Sequence, residues 1–142
     1  MKVLVCGGRT WGEVVPPDPD LEGEPLRLAL AAAHRQAESE RDALYDTLDA
    51  LHRDTPITAL AEGGAVGADR HASTWAERRG VWCTRYEAEW RQYGKQAGPL
   101  RNQRMLDEFQ PALVVAFPGG AGTADMVRRA RRAGVRVLEL AR

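Results

Sequence analysis

Short apolar runs alternate along this chain with longer stretches in which apolar residues recur every three or four positions. The short runs are Lys2–Cys6 (KVLVC), Ile57–Ala61 (ITALA), Val81–Tyr86 (VWCTRY), Ala112–Phe117 (ALVVAF) and Val135–Leu140 (VRVLEL). Nearly unbroken apolar runs of this length are the mark of strands covered on both faces. Between them, helical spacing predicts helices over 26–53, 68–79, 99–109 and 123–133. The stop and start residues agree. Pro56 follows the first helix, Gly80 and Gly134 follow the second and the last, and Pro99 stands in the first turn of the third. The order β-α-β-α-β-α-β-α-β predicts an α/β fold, a Rossmann-like three-layer αβα sandwich with a mostly parallel sheet of about five strands.

One stretch interrupts this regularity. Residues 11–25 are rich in Pro, Asp, Glu and Gly and read as an exposed loop. The helix after it is long, or two helices with a break. Leu30, Ala33, Ala37, Leu44, Leu48 and Leu51 fall near one stripe, and Glu40 interrupts its seam. The reading is a single domain over 1–142, with an inserted loop and long helix at about 11–54 that act as a lid or a dimer arm.

Composition narrows the function. Twenty basic and twenty acidic residues cancel, whereas a general nucleic-acid binder carries a basic excess. No apolar run is long enough to span a membrane, and MKVLVCGGR lacks signal-peptide anatomy, so a cytoplasmic protein is expected. Cys6 and Cys83 lie in strand-like segments without metal-ligand spacing. They are expected as buried free thiols, with no metal and no cofactor. Of the tryptophans, Trp75 and Trp82 are expected in the core. Trp90, beside Glu89 in the polar stretch 87–98, is a candidate to stack on a base or to pack as a lid.

The candidate chemistry gathers at strand ends. Gly7-Gly8, Gly63-Gly64 and Gly119-Gly120 each follow an apolar run, and in an open parallel sheet all three turns lie on the carboxyl edge, where ligands bind. Glycine turns leading into helices leave backbone N–H groups for an anion, and the helix dipole reinforces them. Gly122 and Thr123 extend the last corner, with Thr123 placed to cap the helix or to meet a phosphate. Asp125 follows, either complementing the helix dipole or acting on a ribose. The stretch EGGAVGAD (Glu62–Asp69) repeats the design, with Gly67 for the turn and Asp69 early in the helix. His71 reads as a surface or packing residue, not a catalyst. Arg9 follows the first glycine pair. Lys95, Arg101 and Arg104 surround a predicted helix start, with Asn102 beside Arg101, and a planar guanidinium suits phosphate. Arg128, Arg129, Arg131 and Arg132 lie toward a helix C-terminus and read as surface.

These pieces together resemble the YspA-type, cpYpsA-related branch of the SLOG superfamily. The stretches that carry the resemblance are VCGGR (5–9), PITALAEGGAVGAD (56–69), AEW (88–90), YGKQAGPLRNQRML (93–106), FPGGAGTADMVRRA (117–130) and AGVRVLEL (133–140). The resemblance implies a nucleotide or nucleotide-derived ligand, sensed, sequestered or processed, and a homodimer or higher homo-oligomer. The related LOG enzymes hydrolyse the N-glycosidic bond of nucleoside 5′-monophosphates with an Arg and with the Glu of a PGGxGTxxE motif. By position, Gly119, Gly120, Gly122 and Thr123 match the phosphate loop and Arg101 resembles the LOG arginine. The glutamate position holds Met126 here. An N-glycoside hydrolase would therefore draw its carboxylate from Asp125 or Glu62, with Arg101 as partner. A DprA-like single-strand DNA binder is the weaker alternative, because the chain has neither a basic excess nor a basic-aromatic stripe.

Overall fold

A computed structural model describes residues 1–141. Five strands, β1 (Lys2–Cys6), β2 (Ala59–Glu62), β3 (Trp82–Arg85), β4 (Leu113–Ala116) and β5 (Arg136–Glu139), form one sheet in the order β3-β2-β1-β4-β5. Every pairing is parallel, with β1 at the centre: Lys2 lies opposite Ala59 and Cys6 opposite Ala116. The helices are α1 (Gly23–Asp54), α2 (Ala68–Arg79), the single turn α3 (Trp90–Tyr93), α4 (Ala97–Phe109) and α5 (Ala121–Arg132). The expected αβα sandwich is what forms.

Strand residues point alternately to the two faces, and the core divides accordingly. Val3, Val5, Leu60 and Val115 pack with Leu44 and Leu48 of α1 and Trp75 of α2. Leu4, Ala61 and Val114 face the other way, against Met105 and Phe109 of α4 and Met126 of α5. The same alternation explains one departure from expectation. Trp82 is 74 % exposed, because on the edge strand β3 it is Cys83 that turns toward the α1–α2 layer. The opposite departure is Trp11, expected in a loop. It is buried in that layer, its ring centroid 5.9 Å from Phe117.

The long segment is one unbroken helix, preceded by a loop that it holds in place. Gly12 N–H donates to Glu40 Oε1 at 2.9 Å, and Arg41 Nη1 donates to the Gly12 carbonyl at 2.9 Å. Glu40 interrupts the apolar seam because that carboxylate is the anchor for the loop, with Gln36 Nε2 as a further donor at 3.0 Å. Farther along, Asp49 accepts from Trp75 Nε1 and pairs with Arg79 at 2.8 Å, fixing the C-terminal half of α1 on α2. No residue of α1 ahead of Ala37 is buried.

Candidate functional site

The strand order reverses at the centre of the sheet. The chain moves outward from β1 through β2 to β3, then crosses back to β4 on the other side of β1. The loops leaving β1 and β4 therefore run to opposite faces and open a crevice at the carboxyl ends of these strands. A cavity of about 530 Å³ occupies that place. Arg9 and the β1 glycines Gly7 and Gly8 line it. So do Gly63 and Asp69 from the β2–α2 corner, Lys95, Arg101 and Asn102 around the start of α4, and Gly120, Gly122, Thr123 and Asp125 from the start of α5. Trp90 forms part of the wall at half exposure, its ring near Gly98.

The glycines differ in what surrounds them. Gly8 and Gly67 are hemmed in by backbone, whereas Gly63 and Gly64 face the side chains of Arg101, Asp69, Arg85 and Glu87. Gly67 has φ +87°, and a Cβ there would collide with the Gly8 carbonyl oxygen and come within 2.6 Å of the Arg9 backbone. This crossing lets Ala68 N–H donate to Gly8 O at 3.1 Å while Gly8 N–H donates to Pro118 O at 2.9 Å. Gly7 is pressed against Ala68 and Phe117, and Gly119 against Gly8 and Thr123. Gly64 lies outside the cavity lining, its amide donating to Glu62 Oε2 at 3.2 Å. Gly120 and Gly122 differ from all of these, since a Cβ at either would meet no atom within 4 Å.

The start of α5 is correspondingly open. Gly120 is its N-cap, no side chain caps it, and its first turn holds no acidic residue. The helix begins two residues earlier than the sequence suggests, at Ala121 instead of Thr123, so Asp125 falls beyond the first turn. Asp125 instead accepts from Asn102 Nδ2 at 3.0 Å and from Arg129 Nε at 2.9 Å. Partial burial would raise its pKa, but these bonds outweigh it and hold the carboxyl below the usual carboxylate range. Asn102 also donates to the Gly122 carbonyl at 3.2 Å, so it ties α4 to the open corner. Arg128, read as surface from the sequence, stands at the cavity rim 3.6 Å from Asp125.

Arg101 and Asp69 are further polar groups of the cavity wall. Arg101 Nη1 donates to Gly63 O at 2.6 Å and Nε donates to Asn102 Oδ1 at 3.0 Å. Among the described residues no carboxylate lies within ion-pair distance of it, and burial pulls the guanidinium below its ordinary pKa. It stays charged at any physiological pH. Asp69 is buried, and its Oδ2 accepts from Ala65 N–H at 3.2 Å. Burial pushes its pKa up from 3.8 to about 6, and nearby Glu62 adds to this against the pull of backbone amides and Arg101.

Glu62 is wholly buried and does not line the cavity. Its Oε1 accepts from Arg85 Nε at 2.6 Å, and burial raises its pKa. It is placed to anchor the β3 edge and Gly64, not to meet a ligand. Met126 is buried against α4 and β4 and brings no polar group to the cavity. Arg104 lies over the Tyr86 ring at 5.6 Å and lines a smaller recess beside the cavity. Sequence reasoning named loops that the fold brings together at the cavity, and it put Asp125 and Glu62, not Asp69, forward as reactive groups. The signal for Asp69 was present in the second glycine corner. What set its environment, the crossing of Gly67 over Gly8, needs the fold.

Fold and cavity together define a doubly wound α/β domain with a polar crevice at its switch point. The sequence pattern of the YspA, cpYpsA-related SLOG family matches residues 1–93, and the chain belongs to that nucleotide-related, Rossmann-like family. The match runs through α1 and stops short of α4 and the β4–α5 corner. The Gene 61 protein of Mycobacterium phage D29 is 36 % identical over 107 residues, which is 70 % of this chain and 85 % of the phage protein. No solved structure matches the chain. Among the described residues no helix is long and apolar enough to cross a membrane, and no group of three or more His, Cys, Asp or Glu is arranged to hold a metal ion.

Proposed function

We propose that the cavity binds a nucleotide or nucleotide-derived ligand, with a phosphate on the first turn of α5. The observation that carries this reading is the uncapped helix start at Gly120–Gly122, where neither glycine has a neighbour within 4 Å of its Cβ position. Free N–H groups and the positive end of a helix dipole attract an anion there. Lys95, Arg101 and Arg9 line the same cavity and add positive charge, and Trp90 offers a face on which a base stacks. The volume of about 530 Å³ lies in the range usual for small-molecule sites. The proposed role is that of a sensor or sequestering protein.

Hydrolysis through Asp125 or Glu62 finds less support. The first carboxylate is committed to Asn102 and Arg129, and the second lies outside the cavity. Calorimetric titration with AMP, GMP, ADP-ribose and inorganic phosphate tests the reading, with the solution searched afterward for free base. Saturable binding at one site is expected, weakened about tenfold or more by Gly122→Ala and by Lys95→Ala, in line with charge-assisted phosphate contacts. Unaltered affinity in both variants would remove α5 as the phosphate site. Free base in the solution would assign turnover in place of simple binding.

A further inference from the structure

Asp69 and Arg101 approach the same point from two elements. A Cβ built on Gly63 would lie 3.0 Å from Asp69 Oδ2 and 2.9 Å from Arg101 Cζ. Carboxylate and guanidinium are thus close neighbours on either side of Gly63, and a side chain there would press on both. Neither partner is used up. The protein gives the Asp69 carboxylate backbone amides only, from Ala65 and Gly63, and a carboxylate accepts about four hydrogen bonds. Arg101 commits Nη1 and Nε, while Nη2 has no hydrogen-bond partner among the described residues. Both side chains line the cavity that also contains the open start of α5.

An acceptor beside a donor selects its complement. An amine N–H would satisfy Asp69 but only donates, so it leaves Arg101 unmet. A second phosphate would satisfy Arg101 and repel Asp69. A hydroxyl donates and accepts, and two neighbouring hydroxyls meet both groups at once. We propose that Asp69 and Arg101, facing each other across Gly63, form a subsite for the vicinal hydroxyls of a sugar phosphate. One hydroxyl donates to Asp69 and its neighbour accepts from Arg101. This assignment rests on the phosphate-binding reading of the α5 corner and names the part of the ligand that corner leaves unread. Because unpaired buried polar groups are costly, a ligand lacking one hydroxyl is rejected more strongly than one lacking an apolar atom.

The test compares ribose 5-phosphate, 2-deoxyribose 5-phosphate and inorganic phosphate by calorimetry at pH 7.5. The proteins are the wild type, Asp69→Asn and Gly63→Ala, with thermal melts to check folding. Ribose 5-phosphate should bind wild type about tenfold or more tighter than the deoxy sugar, the usual scale for one hydrogen bond to a charged group. Asp69→Asn should keep its affinity for inorganic phosphate and lose that preference. Gly63→Ala, which crowds both groups, should weaken ribose 5-phosphate more than phosphate. If the two sugars bind wild type alike, or if Asp69→Asn still tells them apart, the subsite is wrong while the phosphate site stands. If neither phosphate nor either sugar phosphate binds, the reading of the α5 corner falls, and this assignment with it.

Discussion

The two glycine corners, EGGAVGAD before α2 and PGGAGTAD before α5, look like copies of one device, yet they are built for opposite tasks. At the first, Gly67 is clamped under the β1 loop and the acid that follows, Asp69, ends buried in the cavity wall. At the second, Gly120 and Gly122 face open space, while the acid that follows, Asp125, turns aside onto Asn102 and Arg129. Burial raises the pKa of one carboxyl, and hydrogen bonds lower that of the other. The lesson is that a glycine corner has two uses. It lets two stretches of backbone cross, or it leaves backbone amides bare. Which use applies depends on what lies opposite.

Four substitutions would break or sharpen this contrast. The largest effect is expected at the closed corner. Gly67→Ala forces a left-handed residue and a collision with Gly8, and should cost about 3–5 kcal/mol of stability, read by urea unfolding. A loss under about 1 kcal/mol would mean the crossing relaxes easily.

Asp69→Asn comes next, and its effect has a pH signature. Since the folded pKa is raised from 3.8 to about 6, the native protein holds more protons than the unfolded chain in that window. Stability of the wild type therefore falls as pH rises from about 4 to 6, by about 3 kcal/mol from this group. The asparagine variant lacks that slope, so its advantage should grow across the same window and level off above it. Parallel stability curves for the two proteins would show that Asp69 is not strained by its burial.

Asp125→Asn should act with the opposite sign. Its pKa is lowered, so its contribution is present above the unfolded value of 3.8 and is lost as pH falls through the folded one. Near neutral pH the variant should lose about 1 kcal/mol, and the two proteins should converge in acid. Gly122→Ala should be the mildest for the fold. Stability should hold or rise by up to about 1 kcal/mol, because alanine favours a helix. Phosphate affinity should nonetheless drop, and that separation of binding from stability is what distinguishes the open corner from the closed one.

Much of the architecture was legible because it is local. Five apolar runs, four amphipathic stretches and their glycine and proline boundaries gave the strands and main helices nearly in place. What resisted was whatever a distant segment decides. Trp82 sits in a strand pattern, but the strand is an edge, and the pleat turns Cys83 inward in its place. Trp11 stands among loop residues, yet Phe117, far along the chain, receives its ring. Glu40 looked like a flaw in a stripe until the Gly12 amide was found opposite it. The site divided in the same way. The loops that line it were visible as glycine pairs, whereas the roles of Asp69, Asp125 and Glu62 turned on partners that sequence spacing does not reveal.

The unsupported beginning of α1 bears on how the molecule comes apart. A helix of this length extends about 48 Å at the usual rise, and its first buried residue is Ala37. The stretch before it is at most partly buried and rests chiefly on intrahelical bonds, which are marginal for so short a piece in water. Its amides should exchange with solvent on the timescale of end fraying, while those beyond Leu44 wait for global unfolding. A protease that cleaves after arginine should therefore cut at Arg27 and Arg35 long before it reaches the sheet, leaving the crevice and its glycine corners intact.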